Sequence, residues 1–304
     1  MKPGIYKMID SKGNVIYVGK SKKLNKRVKT YFVNNPKWEK VSRMVHLIDD
    51  IEFITTDTHL EARILECSLI KALKPIFNSQ MKHDRGYVYL KLENYNKYKA
   101  LSVVDTREEN SFGPFRRRFY LTDIINVLKN LYPVKKNGNS YSFDYHLFPV
   151  AMNNVLFNEN RCSLEEILSD NSKANIFINE LENKMKKEAS LNNFEMASLY
   201  KNIIININYI INSINKYNEM VNRNVLLTIP IEKGYKLIYI SNGKIIKKEK
   251  YDKLSQADIE IFSEAALTSE DDAFINMDEK SLIDYKDIIY SEIASLPDNM
   301  IKYI

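Results

Sequence analysis

Two cysteines, one tryptophan and four histidines are all that 304 residues carry of these types, and each scarcity removes a class of chemistry. Cys67 and Cys162 are far apart and have no partners at metal-ligand spacing, so neither a disulfide framework nor a zinc site is expected. The histidines stand singly; His83 beside Asp84 makes a loop pair rather than a metal site. Glycine and proline number eight each, which excludes collagen-like and low-complexity chains. No run approaches the roughly 18–20 apolar residues of a membrane span, and the start MKPGIYKMID lacks the apolar stretch of a secretory signal. A cytoplasmic protein without a membrane partner is the expectation, and no internal repeat interrupts it.

What is present is ordinary globular composition, 44% hydrophobic and 28% charged, with a net charge of +6 that is unevenly placed. From Lys20 to Lys29 the chain reads KSKKLNKRVK, six cations and no acid, whereas Ser269 to Asp284 is acid-rich. A polyanion partner for the front end follows.

GIYKMI and VIYVG alternate β-branched and aromatic residues around DSKGN, which predicts a β-hairpin turning at Gly13 and Asn14. A basic helix near Leu24 to Phe32, a second helix from Lys40 to Asp49 and a strand IEFITT come next. Thr58 opens another helix with Glu61 completing a capping box, and Pro75 ends it after Lys74. YVYLKL and ALSVVD read as strands, Leu121 to Leu131 as an amphipathic helix, and the Asn- and Ser-rich stretch from Val134 to about Lys173 as a connection. Leu181, Met185 and Ala189 recur on one helical face before Asn192 and Asn193, and Phe194 starts another apolar run, together a helical hairpin. LLTIPI and KLIYISNGKIIKK open a closing α+β unit.

Several side chains admit both a structural and a chemical reading. Glu66 borders an apolar helical stripe and is either a salt-bridge partner of Arg63 or a carboxylate for a divalent cation, since magnesium commonly takes one or two protein carboxylates and keeps waters and substrate phosphate besides. Tyr6 and Tyr17 are either strand packing residues or phenols that orient water, with Lys20 placed to supply a charge that favours ionisation. Arg27 is either a solvated cation or, with Tyr31 on the same helix face, a guanidinium that can hold phosphate oxygens. Lys22, Lys23, Lys26 and Lys29 are backbone contacts or solubilising charge. Asn78 closes a turn locally, and Arg116, Arg117 and Arg118, interleaved with Phe115, Phe119 and Tyr120, extend a nucleic-acid face or are simply exposed cations.

The hairpin with GIY at 4–6 and YVG at 17–19 resembles the GIY-YIG nuclease superfamily. Within it, PGIY, IYVGKSKKLNKRVKTYF, ILECSLIKALKPIFN and FGPF are similar to the N-terminal half of the bacterial UvrC excinuclease family and its shorter Cho-like members. The resemblance implies catalytic roles for Tyr6, Tyr17, Lys20, Arg27, Tyr31 and Asn78, one Mg²⁺ or Mn²⁺ on Glu66, and a nick on the 3′ side of a lesion in double-stranded DNA. LENKMKKEASLNNFEMASLYKNI resembles the UVR hairpin that contacts UvrB after UvrA loads it; Phe194 falls on the contact position, and Tyr200 and Lys201 replace an expected Arg-Asp pair. Full-length relatives carry a cysteine-rich stretch before the hairpin, and only Cys162 stands there, so no iron-sulfur cluster is expected. LPDNMIKYI falls about where an RNase H-like half would begin, which implies one incision rather than two; an adaptor or competitor on UvrB is the alternative.

The expectation is therefore an α+β protein. A GIY-YIG domain over 1–90 has a short mixed or antiparallel sheet flanked by helices, and residues 91–133 extend it. A linker over 134–175, a UVR-like hairpin over 176–217 and a small α+β module over 224–304 complete the chain.

Overall fold

The computed structural model describes residues 2–32, 39–83, 86–216, 223–268 and 279–304. The chain divides into two units, residues 1–84 with 217–304 and residues 85–216.

In the first unit the predicted hairpin forms from β1 (Gly4–Ile9) and β2 (Val15–Ser21), and β3 (Asp50–Thr55) pairs with the other edge of β1, so the sheet runs β2-β1-β3 with every pairing antiparallel. Asp10 Oδ1 accepts hydrogen bonds from the backbone N–H groups of Lys12 and Asn14, and Gly13 supplies the positive φ that the turn requires. Helix α1 (Leu24–Lys29) is shorter than expected because Thr30, Tyr31 and Phe32 donate to carbonyls three residues back, a tightened last turn. Helix α2 (Glu39–His46) follows.

Helix α3 (His59–Leu73) has the predicted capping box from Thr58 and Glu61 and ends at Lys74, left-handed at φ 47° ahead of Pro75. Unlike a surface helix, α3 is covered on two faces. Ala62 and Ile70 pack with Ile5 and Val18 of the N-terminal sheet. Leu60 and Cys67 pack with Val225, Leu227, Ile238 and Ile240 of a second sheet and with Tyr285, Ile288 and Ile289. That second sheet holds β9 (Val225–Pro230), β10 (Tyr235–Ser241), β11 (Lys244–Tyr251) and β12 (Ile301–Tyr303) in the order β11-β10-β9-β12. Two further helices, Gln256–Leu267 and Glu279–Ile293, complete this half of the unit. Of the acid-rich stretch, residues 269–278 lie outside the described residues, and so does Asp84.

In the second unit β4 (Val88–Leu92), β5 (Leu101–Val104) and β6 (Ser111–Phe115) form a sheet in the order β5-β4-β6, followed by α4 (Arg118–Leu128). The sequence conceals β6 because Gly113 and Pro114 punctuate it; as an edge strand it tolerates a residue without an N–H. The linker expected over 134–175 is folded instead. β7 (Lys135–Asn137) pairs with β8 (Ser140–Ser142), and α5 (Asn154–Ser169) buries Phe157, Leu164, Ile167 and Leu168. The α5 stripe is hard to read because Asn160 and Ser163 occupy buried positions within it. Asn160 Oδ1 accepts from the Val134 N–H at 2.7 Å, and Ser163 Oγ donates to the Glu159 carbonyl. Helices α6 (Asn171–Ser190) and α7 (Phe194–Asn215) form the predicted hairpin through Asn192 at φ 60°. Residues 91–133, expected to extend the nuclease domain, group with α5, α6 and α7. The two helices of the first unit beyond β11 are α8 (Gln256–Leu267) and α9 (Glu279–Ile293).

Candidate active site

Three phenols meet over one face of the N-terminal sheet. Tyr6 on β1, Tyr17 on β2 and Tyr31 just past α1 have ring centroids 6.0–6.1 Å apart. The Tyr6 and Tyr31 hydroxyls share a 2.8 Å hydrogen bond, and the Tyr31 hydroxyl donates to that of Tyr17 at 3.4 Å. Arg27 joins them: its Nη2 donates to the Tyr31 hydroxyl at 3.2 Å and its guanidinium stacks 5.0 Å from that ring's centre. The predicted spacing of Arg27 and Tyr31 thus survives the early end of α1.

The two signature glycines have steric reasons. A Cβ on Gly19 would stand 2.4 Å from both Cζ and the hydroxyl of Tyr6 and 2.9 Å from Cε1 of Tyr17. One on Gly4 would stand 2.3 Å from the Ile54 carbonyl oxygen. Gly4 therefore lets β3 close on β1, and Gly19 lets the phenols lie across β2.

Asn78 is buried, and its amide spans both backbone groups of Val18. Oδ1 accepts from the Val18 N–H at 2.9 Å and Nδ2 donates to the Val18 carbonyl at 2.8 Å. Its place is thus beside the strand that carries Tyr17, Gly19 and Lys20, more than the local turn closure its sequence position suggests.

Glu66 projects from α3 toward the same strand, with a side chain only 11% exposed, and accepts a 2.7 Å hydrogen bond from Lys20 on Oε2. Lys20 is placed by sequence to provide charge to Tyr17; its ammonium is engaged with Glu66 instead, because residues three apart on a strand face opposite ways. Burial, the Tyr31 hydrogen bond and the electrostatic influence of Tyr31 and Glu66 push the Tyr17 phenol up, with Arg27 the opposing influence. Burial also raises the Tyr6 phenol, reinforced by its two neighbouring phenols. Burial works against the Arg27 cation, but the surrounding phenol oxygens outweigh it and hold Arg27 above its ordinary value. Both phenols are thus neutral, and the guanidinium charged, at physiological pH.

The donor chemistry of Glu66 fits a divalent cation. It is a hard oxygen ligand, an ammonium already sits on one oxygen, and Oε1 takes no hydrogen bond among the described residues. No group of three His, Cys, Asp or Glu side chains at metal-binding spacing occurs among the described residues, so such an ion would take its other ligands from water and substrate.

The remaining sequence-predicted residues fall elsewhere. Lys22, Lys23, Lys26 and Lys29 are exposed in and before α1, next to Arg27. Arg116, Arg117 and Arg118 belong to the second unit, where Arg116 stacks on Tyr87 and Arg118 pairs with Asp105. Phe115 is in the core there while Phe119 is 84% exposed. Phe194 opens α7 and is 66% exposed, beside Leu191 at the hairpin tip. His83 is exposed in a loop. No helix among the described residues is long and apolar enough to cross a membrane.

A glycine-gated hairpin carrying paired tyrosines, an arginine-tyrosine helix and a carboxylate on the following helix define a domain of the GIY-YIG class, and the family described as the UvrC-like GIY-YIG domain matches residues 2–79. Residues 2–79 are thus similar to the UvrC-like branch of the GIY-YIG family. It is 30% identical over 259 residues to the UvrABC system protein C of Streptococcus mutans, covering 81% of this chain and 43% of that protein. It is 31% identical over 274 residues to that of Clostridium novyi, covering 82% and 44%. The chain thus spans less than half the length of these relatives. The crystal structure of the GIY-YIG N-terminal endonuclease domain of UvrC from Thermotoga maritima, bound to its catalytic divalent cation magnesium, is 40% identical and covers 26% of this chain and 84% of that one, at a TM-score of 0.24.

Proposed function

We propose that this protein is a metal-dependent DNA endonuclease of nucleotide excision repair that nicks damaged double-stranded DNA on the 3′ side of the lesion. The observation that carries the reading is the cluster of three phenols with Arg27 on one face of the hairpin, with Glu66 near enough to Tyr17 to act on it electrostatically and exposed lysines alongside.

The scissile phosphate is held over the phenols. Arg27 offers planar donors to its non-bridging oxygens, already aligned by Tyr31, and offsets the charge that develops as the water oxygen bonds to phosphorus. Tyr17, a neutral phenol at rest, orients the attacking water and acts as its base only after passing its own proton to solvent, a loss that Arg27 favours; the phenolate then takes the water's proton as the phosphorus bond to the leaving oxygen breaks, and the leaving oxygen is protonated from solvent. Tyr6 holds Tyr31 in place. Glu66 would hold a Mg²⁺ or Mn²⁺, which would supply Lewis-acid stabilisation of the charge on the leaving oxygen. Lys20 offsets the Glu66 charge across a 2.7 Å ion pair, and its ammonium would be available to a phosphate oxygen if Glu66 held a cation. Lys22, Lys23, Lys26 and Lys29 contact the DNA backbone without reading bases, and Arg116, Arg117 and Arg118 are candidates for a further backbone contact.

The α6–α7 hairpin supports a UvrB contact through Phe194, whose exposure beside Leu191 gives a protein partner an apolar anchor. The deciding experiment is incubation of the chain with an end-labelled lesion-bearing duplex, Mg²⁺, UvrA and UvrB. A single 3′-side nick, lost without Mg²⁺ and in Glu66→Ala, is the expected result. Intact strands where a full-length relative cuts would refute the reading. Retention on immobilised UvrB that Phe194→Ala abolishes, with no nicking, would leave an adaptor.

A further inference from the structure

Helix α3 is pinned to α9 at both of its ends. Near its start, Arg63 Nη1 donates to Glu292 Oε2 at 2.9 Å and Nη2 to Ser291 Oγ at 2.7 Å, while His59 Nδ1 lies 3.2 Å from both Glu292 oxygens. Near its end, Lys71 Nζ lies 3.0 Å from Asp284 Oδ2. Both carboxylates are buried, with side chains 8% and 2% exposed. The helices run antiparallel, so the two pins are about two turns, roughly 12 Å, apart on each. Buried ion pairs add little to stability over apolar packing, but they are demanding of geometry, because a displaced partner leaves a charge unpaired.

Glu66 lies between the pins. Its neighbour Cys67 is fully buried in the cluster that includes Tyr285, Ile288 and Ile289 of α9, and one residue of helix turns the chain about 100°, which aims Glu66 at β2. A single pin would let α3 slide or roll; two, with Cys67 between them, fix both motions.

We propose that α9 is a positioning element for the nuclease: Glu292 and Asp284 set the axial position and roll of α3, and through it the placement of the Glu66 carboxylate that holds the divalent cation. The inference rests on the metal role given to Glu66 above. It assigns to residues 279–293, far along the chain from the GIY-YIG segment, a part in its metal affinity. Glu292 and Asp284 are positioning residues, since neither touches the ion nor the substrate.

The test measures Mn²⁺ binding to the intact chain by electron paramagnetic resonance of the free ion, without DNA, alongside Mg²⁺-dependent nicking. Two kinds of variant separate positioning from folding. Glu292→Gln keeps the shape and removes the charge; Lys71→Met with Asp284→Leu replaces both partners of a pin by apolar groups, a change that buried pairs tolerate in stability. Each is expected to melt cooperatively, to bind Mn²⁺ about tenfold more weakly and to need correspondingly more Mg²⁺, with the KM for DNA unchanged, the scale at which displaced supporting groups act. Mn²⁺ affinity within twofold of wild type in both folded variants, while Glu66→Ala abolishes binding, would overturn the proposal and leave the metal role of Glu66 intact. Unchanged Mn²⁺ binding in Glu66→Ala would overturn both.

Discussion

Substituting Gly19 by alanine is the most stringent test of the geometry. The added methyl would stand 2.4 Å from Cζ and the hydroxyl of Tyr6 and 2.9 Å from Cε1 of Tyr17. Carbon atoms sit comfortably at about 3.5–4.0 Å, so a separation of about 1 Å has to be opened. Gly19 is on β2 and paired opposite Tyr6 on β1, so backbone retreat would break ladder hydrogen bonds on both strands. The cheaper route is rotation of the Tyr6 ring, which breaks its 2.8 Å hydrogen bond to Tyr31 and frees the residue that aligns Arg27. Overpacking of this kind costs about 1–3 kcal/mol of stability. A displacement near 1 Å at a reacting centre costs on the order of 10²-fold in rate. Gly19→Ala should therefore remain folded by circular dichroism with a lowered melting point, and nick a labelled lesion duplex about a hundredfold more slowly at saturating Mg²⁺. Nicking within threefold of wild type would show that the phenols need not lie where they do, and the catalytic role of their arrangement would fall.

Other outcomes are equally concrete. Glu66→Gln should retain duplex binding in a gel-shift assay and lose nicking by at least about 10²-fold, because an amide is a poor substitute for a cation's anionic oxygen ligand; undiminished nicking would take Glu66 out of the metal role. Asn78→Ala leaves the Val18 N–H and carbonyl without partners, which should cost about 1–3 kcal/mol in urea unfolding, and a melt equal to wild type would contradict it. For Glu292, burial would raise the carboxyl, but hydrogen bonds from His59 and Arg63 overcome it and pull it from 4.5 to about 2. The folded value lies below the unfolded one, so the stabilisation, about 3 kcal/mol at most, is fully present above pH 4.5 and is lost as pH falls toward 2. Glu292→Gln should flatten that acid limb of the melting profile, and an unaltered limb would refute the assignment. Phe194→Ala should leave the melt within a degree or so and abolish retention on UvrB, since an exposed anchor contributes to binding rather than folding.

The first eighty residues were legible because their chemistry is carried by short spacings. Tyr6 and Tyr17 are diagonal neighbours across a tight hairpin, Arg27 and Tyr31 are one turn apart, and the Thr58 box and Pro75 bracket the helix that carries Glu66. What was illegible depends on partners distant in sequence. Lys20 looks like a neighbour of Tyr17, and only the packing of α3 on β2 brings it to Glu66. The second buried face of α3 blurs its amphipathic pattern, so Glu66 reads as the edge of a stripe when it lies between two cores. In α5, buried Asn160 and Ser163 interrupt the apolar period that would have revealed a helix. Asp284, the last residue of the acid-rich stretch, is buried against Lys71, a partner that sequence position does not suggest.

The Asn78 amide has a further consequence for the sheet itself. β2 is an edge strand, and the outward backbone groups of such an edge invite pairing by a foreign strand. Here the Phe77 N–H bonds the Ile16 carbonyl at 3.0 Å, and two residues along the same edge the Asn78 side chain answers both groups of Val18. One backbone rung and one side-chain rung thus counterfeit a fourth strand that is too short to recruit another. The edge bearing Tyr17 and Lys20 stays closed to aggregation, and to any peptide that would add itself there, without lengthening the sheet across the face where the phenols meet.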